Sequence, residues 1–337
     1  MKAAQKLSIL GVDPLFGVPG GELTIECRGF KPEVSSRVLV GDVEASIASA
    51  SEKKIVVRLP ENPNCLGLSL RVGKKNSEVF PFNLATQLAA DLHPVTNPVI
   101  APDGTLITTI SGGRGQQVPH PLIRITRRGD KIPFQCDIMN PTGLAFSGDG
   151  QLFISSRHDG TVVRYTNYEH LDLIADDLGI PCGIVFDSNG LLYVGDRTGK
   201  IYRIDSAGNK EEFAEMEPSI SAYHLAIDSK DRLYVTGPTF SMRDRLIRFS
   251  PDGKAENLMD GFARPQGLAF LPDGDLLIAA AFQGKKGIFR YSPESGSLQH
   301  FITAPILVGL AVAGKDVFLA GSSSIYWLQL SEQAAVN

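Results

Sequence analysis

Long apolar runs are missing from this chain. The longest, Leu276–Phe282 and residues 306–312, are strand-sized, against the roughly 18 to 20 residues that a membrane-spanning helix needs. Membrane insertion is therefore not expected. Cysteine is scarce, at four residues, and Cys27, Cys65, Cys136 and Cys182 form no CxxC pair and no metal-type spacing, which excludes zinc-ribbon and thioredoxin-like chemistry. Two readings of the thiols stay open: free buried cysteines, or a Cys27–Cys65 bridge in an oxidising compartment. A strong charge of one sign is also absent. The formal net charge is −4, with 11 basic and 9 acidic residues over 1–84 and 22 and 28 over the rest, so no general attraction to nucleic acid or an anionic membrane is expected. HExxH, GxSxG and P-loop signatures are all missing, as is a GxGxxG between strand and helix, which removes the motif-bearing classes of protease, hydrolase and nucleotide-binding enzyme. The amino-terminal stretch MKAAQKLSILGV runs directly into an alternating pattern without a secretory-type apolar segment and cleavage site, and the expectation is a cytoplasmic protein.

What the sequence does contain is a repeat. Residues 140–165, NPTGLAFSGDGQLFISSRHDGTVVRY, hold three runs of alternating apolar residues separated by Gly-Asp-Gly and Asp-Gly turns, the pattern of short antiparallel strands. Copies begin at Asn97, Asn140, Ile180, Ser221, Arg264 and Pro305, and aligning Val99, Thr142, Cys182, Tyr223, Gln266 and Val308 gives steps of 40 to 43 residues. Several strands per copy at that period predict a β-propeller, because each small sheet buries its faces only against neighbouring copies. Six copies predict six blades over residues 85–330, with 331–337 as a tail. Outer strands are expected at 132–138, 171–175, 211–216, 255–259 and 298–303. The sixth copy lacks one, so residues 85–90 are expected to pair with 325–330 and close the ring, which leaves no open sheet edge there.

Residues 1–84 read as a separate all-β unit, with strands expected at 7–12, 22–28, 38–40, 45–48, 55–59, 67–72 and 78–83. The fold class is all-β throughout: an immunoglobulin-like β-sandwich plus a six-bladed β-propeller.

Two resemblances add to this. Pro14, the turn Pro19-Gly20-Gly21 before Leu23-Thr24-Ile25, Gly29-Phe30, Val40-Gly41-Asp42, Ile55-Val56-Val57 and Pro60 resemble the IPT/TIG family, which implies a spacer or interaction module without catalytic residues. The lines PTGLAF, PCGIVF, AYHLAI and PQGLAF resemble the six-bladed superfamily of gluconolactonase, senescence-marker-protein and NHL-repeat proteins. In its lactonase branch the residue before the inner-strand glycine is an Asn or Asp in selected blades, and with a Glu in the first blade these residues hold a divalent cation. Here that row is Val99, Thr142, Cys182, Tyr223, Gln266 and Val308, without a carboxylate. A hard cation such as Ca²⁺ takes several oxygen ligands, usually including Asp or Glu, so no cofactor is expected unless an offset of one residue brings Asn97 or Asn140 into play.

The entrance to the ring, where the inner strands begin, carries the remaining candidates. Arg114, Arg157, Arg197, Arg243 and Lys285 fall in successive loops between second and third strands. Converging guanidinium groups suit carboxylate, phosphate or sugar-acid ligands, while Asp159, Asp196 and Asp244 beside three of them suit local ion pairs. Ser155, Ser156, His158 and Asp159 are neighbours on one loop, poorly placed for a triad. Cys182 and His224 are a possible thiol–imidazole pair from adjacent blades, with core packing as the plainer reading. The loop 111–121 is long, polar and glycine-rich and contains His120. The expected ligand site therefore comprises Arg114, His120, Asn140, Thr142, Arg157, His158, Cys182, Asp196, Arg197, Tyr223 and Gln266, with no catalytic residue. The expected function is binding of a small polar or anionic molecule, carbohydrate-derived for example, or a protein partner. Alternatives are a lactonase-like hydrolase with an altered site and a structural scaffold.

Overall fold

A computed structural model describes residues 6–61, 67–110, 118–167, 170–241 and 243–330. Among them every regular element is a strand. Strands β1 (Ser8–Asp13), β2 (Phe16–Gly17), β3 (Glu22–Arg28), β4 (Ser36–Val40), β5 (Val43–Ala50), β6 (Lys54–Arg58), β7 (Leu68–Val72), β8 (Lys75–Asn76) and β9 (Asn83–Leu84) come first. Seven of them form one antiparallel sheet in the order β1-β3-β6-β5-β4-β7-β8. The long β5 pairs with β4 through its first residues and with β6 through the rest, so the sheet turns over on itself around Leu23, Ile25, Val38, Val40, Ile55, Val57, Leu68 and Leu70, all buried. This continuous curled sheet stands where two separate layers were expected. The run 78–83 is likewise not one strand: Phe80 makes an isolated bridge to Leu68, and pairing resumes only at β9.

The ring follows. β10 (Thr86–Ala89) opens it, and five repeats then contribute β11 (Val99–Ile100), β12 (Leu106–Thr109), β13 (Leu122–Ile125), β14 (Lys131–Phe134); β15 (Pro141–Phe146), β16 (Leu152–Ser156), β17 (Thr161–Asn167), β18 (His170–Ala175); β19 (Pro181–Phe186), β20 (Leu192–Asp196), β21 (Lys200–Ile204), β22 (Lys210–Glu215); β23 (His224–Ile227), β24 (Leu233–Thr236), β25 (Asp244–Phe249), β26 (Ala255–Phe262); and β27 (Leu268–Phe270), β28 (Leu276–Phe282), β29 (Lys285–Tyr291), β30 (Leu298–Thr303). The chain ends in β31 (Leu307–Ala313), β32 (Asp316–Gly321) and β33 (Ile325–Gln329). The innermost strands touch in the cyclic order β11, β15, β19, β23, β27, β31 and back to β11, a propeller-like ring of sheets. β10 pairs antiparallel with β33, Thr86 opposite Trp327 and Gln87 opposite Tyr326, so the last sheet takes its outer strand from before the first repeat.

Five of the sheets are four-stranded. The sheet of the fifth repeat is not: it has six strands in the order β27-β28-β29-β30-β2-β9, in place of the uniform set of four-stranded blades expected from the repeat. β2 enters parallel to β30, Phe16 opposite Ile302 and Gly17 opposite Thr303. Phe16 and Val18 thereby join the core built by Ile288, Phe301, Ile302 and Ala304. Gly17 fits because any Cβ there would lie 2.4 Å from Leu59 and 3.0 Å from Phe82. The curled sheet is therefore bonded into the ring's edge rather than hung from it by a linker.

Local chemistry explains the repeated hairpins. At several turns a Ser, Thr or Asp side chain accepts main-chain hydrogens: Asp187 Oδ1 takes the amides of Asn189 and Leu191, and Gly190 adopts a φ of 81°, which glycine adopts without a Cβ penalty. On the third strands an arginine recurs at one place. Arg124, Arg164, Arg203, Arg248 and Arg290 pair with Asp103, Asp172, Glu211, Glu256 and Asp273 respectively.

Candidate functional site

The entrance face is assembled from the starts of the inner strands and the ends of the second strands. Close approach of neighbouring sheets fixes its shape. A Cβ on Gly143 would sit 2.1 Å from the Cys182 carbonyl oxygen, and one on Gly183 would sit 2.5 Å from that of Tyr223. Ser155 Oγ accepts from the Gly143 amide and donates to the Cys182 carbonyl, both at 2.7 Å, so it joins adjacent inner strands. Asn97 laces three sheets together: its Oδ1 accepts from Leu310 N at 3.1 Å and its Nδ2 donates to Leu268 O at 3.3 Å. Asn140 sits at a φ of 49°, where its carbonyl accepts from Arg157 N and Thr142 Oγ1.

The expected convergence of cations is not present among the described residues. Arg197 directs Nε to Ser219 O at 3.2 Å and Nη2 to Ile220 O at 3.0 Å, fastening one loop to the next. Arg243 pairs with Asp260 at 3.0 Å, and Lys285 pairs with Asp13 at 2.9 Å across to the curled sheet. Arg157 alone of the four is exposed without a side-chain partner among the described residues. Arg114 lies outside the described residues, as does Cys65. His120 and His158 are exposed, and His158 Nε2 stands 4.0 Å from Asp159 Oδ1, too far for a hydrogen bond.

The three aspartates are not rim ion-pair partners either, because main-chain amides and neighbouring hydroxyls hold them instead. Asp196, 1% exposed, accepts from Ile180 N at 2.8 Å, from Thr198 N at 3.1 Å and from the Thr198 hydroxyl. Asp244 accepts from Thr239 N at 2.7 Å and Arg264 N at 3.1 Å. Asp159 accepts from Ser156 Oγ at 2.7 Å. A carboxylate pinned in a turn cannot also face a ligand, so Asp196 leaves the set of binding candidates.

Burial decides the ionisation of the rest. The Cys182 thiol, donating to Ile180 O at 3.3 Å, is pushed up to about 11 by burial. His224 is pushed down to about 4 for the same reason. A protonated thiol and a neutral imidazole do not make an activated nucleophile, so both residues belong to the core. Cys27, Cys136 and Cys182 are free buried thiols. Two members of the entrance row are notable for another reason: the Tyr223 hydroxyl and Gln266 Oε1 are buried with no hydrogen-bond partner among the described residues, as is Thr109 Oγ1 at the end of β12. Burying such atoms unpaired costs about 1 to 3 kcal/mol each.

The lactonase-type cation does not fit these residues. The donors available in the row are the hydroxyls of Thr142 and Tyr223 and the amide of Gln266, the nearby carboxylates are already hydrogen-bonded, and Asn97 is occupied at both ends of its amide. Among the described residues no group of three or more His, Cys, Asp or Glu side chains converges on a cation position.

Two larger hollows involve the curled sheet, the first reaching the entrance rim at Lys285 and Val308, and neither was legible in the sequence. One, of about 880 Å³, runs between the curled sheet and the ring past Asp13, Arg58, Lys285 and Thr303. The other, of about 1000 Å³, lies entirely in the curled sheet. Their walls come from segments far apart in the chain, and only the lysine-rich turns 53–54 and 74–75 offered a signal.

Comparisons with known proteins agree with the ring. A family model described as strictosidine synthase-like, N-terminal, matches residues 169–204. No curated protein sequence matches the chain. Among solved structures, an auxiliary nutrient binding protein from Bacteroides ovatus superposes with a TM-score of 0.54 at 12% identity, covering 98% of this chain and 99% of its own. A catalytically inactive virginiamycin B lyase from Staphylococcus aureus, with quinupristin, gives 0.52 at 15% identity, covering 98% and 97%. A protein provisionally classed as a gluconolactonase gives 0.59 at 16%, covering 73% and 91%. At such identities the likeness is one of fold, a propeller-like all-β chain of the kind found in binding proteins and in enzymes alike.

Proposed function

We propose that this chain is a binding protein whose ring entrance takes a small polar or anionic molecule, a polyhydroxy acid of carbohydrate origin being the best fit. The observation that carries the reading is the set of polar groups left over at the entrance. Among the described residues Tyr223 and Gln266 hold buried polar atoms without partners, and Arg157 presents a guanidinium without a side-chain partner. Hydroxyl and carboxylate groups together match such a set, since a modest side-chain shift at Tyr223 or Gln266 would exchange an unpaired buried atom for a hydrogen bond. In this reading the six-stranded sheet of the fifth repeat counts as one blade beside the five four-stranded sheets, which makes a six-bladed propeller of the gluconolactonase, senescence-marker-protein and NHL-repeat type over residues 85–330. Residues 1–84 form an IPT/TIG-type unit.

The lactonase-like alternative has less behind it, because the donors at the entrance suit hydrogen bonding better than a hard cation. Native mass spectrometry against a panel of sugar acids, followed by calorimetry, tests the proposal. Arg157→Ala is expected to weaken the bound acid by roughly 10-fold or more, the effect of one charge-assisted hydrogen bond. Unchanged binding by Arg157→Ala and Gln266→Ala together would remove the entrance as the site. Saturable lactone turnover that needs added Ca²⁺ or Mn²⁺ would restore the hydrolase.

A further inference from the structure

The hollow in the curled sheet lies at the end remote from the ring. β3 runs from Glu22, whose carbonyl accepts from Thr303 Oγ1 of the ring at 2.5 Å, to Arg28 at the hollow. β1 runs from Ser8, opposite Arg28, to Asp13, which pairs with Lys285 of the ring. Arg28, Lys31, Lys53, Lys54, Lys74 and Lys75 all border this hollow. None of the six has an ion pair or a side-chain hydrogen bond among the described residues, although the other described cations of the unit do: Lys6 with Glu78, Arg37 with Glu44, Arg58 with Glu22, and Arg71 with Asn76. The selection is spatial, since the unpaired cations are those around the hollow.

From this arrangement we infer a docking site for an acidic peptide segment of a partner protein, distinct from the ring entrance. Leu7, Phe30 and Val72 supply an apolar wall, and Leu10 of β1 is 52% exposed beside them. Three carboxylates, Glu26, Glu33 and Glu52, share the lining, also unpaired among the described residues, so the hollow keeps an excess of three positive charges and still has acceptors for peptide amides. That mixture disfavours an anionic membrane, which is flat and would be repelled by them. Nucleic acid is disfavoured because Phe30, the one aromatic residue of the lining, is 1% exposed and unable to stack a base. An extended acidic chain with interspersed apolar residues fits the shape, charge and floor, and β1 is an edge strand against which such a chain can lie.

The test uses the full chain and a fluorescein-labelled 12-residue peptide of alternating Glu and Val, read by fluorescence polarisation. Binding is expected at about 50 mM NaCl and should weaken at least about 10-fold at about 500 mM. Lys53→Glu combined with Lys74→Glu should weaken it by about 10-fold or more, while Lys230→Glu on the ring surface leaves it unchanged. Thermal melting of each variant checks folding, and hydrogen exchange on the unmutated protein should show peptide-dependent protection at 7–12, 26–33, 52–54 and 72–75. No binding by the parent protein overturns the inference, as do equal binding of a Gln-for-Glu peptide, displacement by millimolar inorganic phosphate, and preference for phosphatidylserine vesicles over the peptide.

Discussion

At the ring entrance Arg197 ends on the carbonyl oxygens of Ser219 and Ile220, and on the third strands five arginines each meet a carboxylate. In the curled sheet six cations around one hollow have no side-chain partner among the described residues. A repeated architecture brings a partner back at every turn, so a charge that fits one sheet finds its counterpart in most others. A unit that occurs once has no such supply, and its free charges are set by what it faces. The entrance of the ring is therefore expected to bind by a few groups, and the curled sheet by many.

The sharpest way to break the comparison is to separate the two regions. Deleting residues 1–80 removes Phe16 and Val18 from the core they share with Phe301 and Ile302, and deletion through residue 92 also removes β10, which closes the last sheet. Both truncations should melt well below the parent protein, the longer one losing cooperative unfolding altogether. An 81–337 fragment as stable as the whole chain would show that β2 is an ornament.

A smaller lesion tests the close sheet approach inside the ring. Gly143→Ala places a methyl group 2.1 Å from the Cys182 carbonyl, whereas Gly148→Ala meets nothing within 4 Å. Urea denaturation should show a loss of about 3 kcal/mol for the first and less than about 0.5 kcal/mol for the second.

Acidification probes the ring without mutation. His224 is wholly buried, and its folded pKa of about 4 lies below the ordinary 6.5, so the unfolded state binds the proton first. The stability it contributes is full above about pH 6.5 and falls as pH drops through 6.5 toward 4, by up to about 3 kcal/mol at the rate of 1.36 kcal/mol per pH unit. His300, also depressed by burial, adds in the same direction. In His224→Gln the slope of stability against pH over that window should flatten.

The mildest comparison sets two entrance arginines side by side. Arg197→Ala loses two hydrogen bonds to carbonyls and should cost about 1 kcal/mol. Arg157→Ala, with no side-chain partner to lose among the described residues, should leave thermal stability within about 0.5 kcal/mol and change only ligand binding.

The repeat, its spacing and its turn residues were enough to place the strands of the ring to within a few residues. Alternation and Asp-Gly turns are local, and a strand that fits them has one way to bury its apolar face. Phe16-Gly17 was unreadable, because two residues between turns carry no period and their partners at Ile302 and Asn83 lie far along the chain. The entrance cations were read from position alone. Sequence placed them in equivalent loops, but a guanidinium takes the nearest acceptors, and for Arg197 those were carbonyls of the next sheet. Aspartates beside arginines looked like ion pairs for the same reason and turned out to cap amides and hydroxyls. What the sequence determined by itself is thus everything that rests on local periodicity: the all-β class, the repeated strands, and the absence of a carboxylate row. Which groups remain free was decided only when distant segments packed, since freedom of a side chain is a property of its neighbours in space, and the six cations around one hollow come from four separate turns and strand ends.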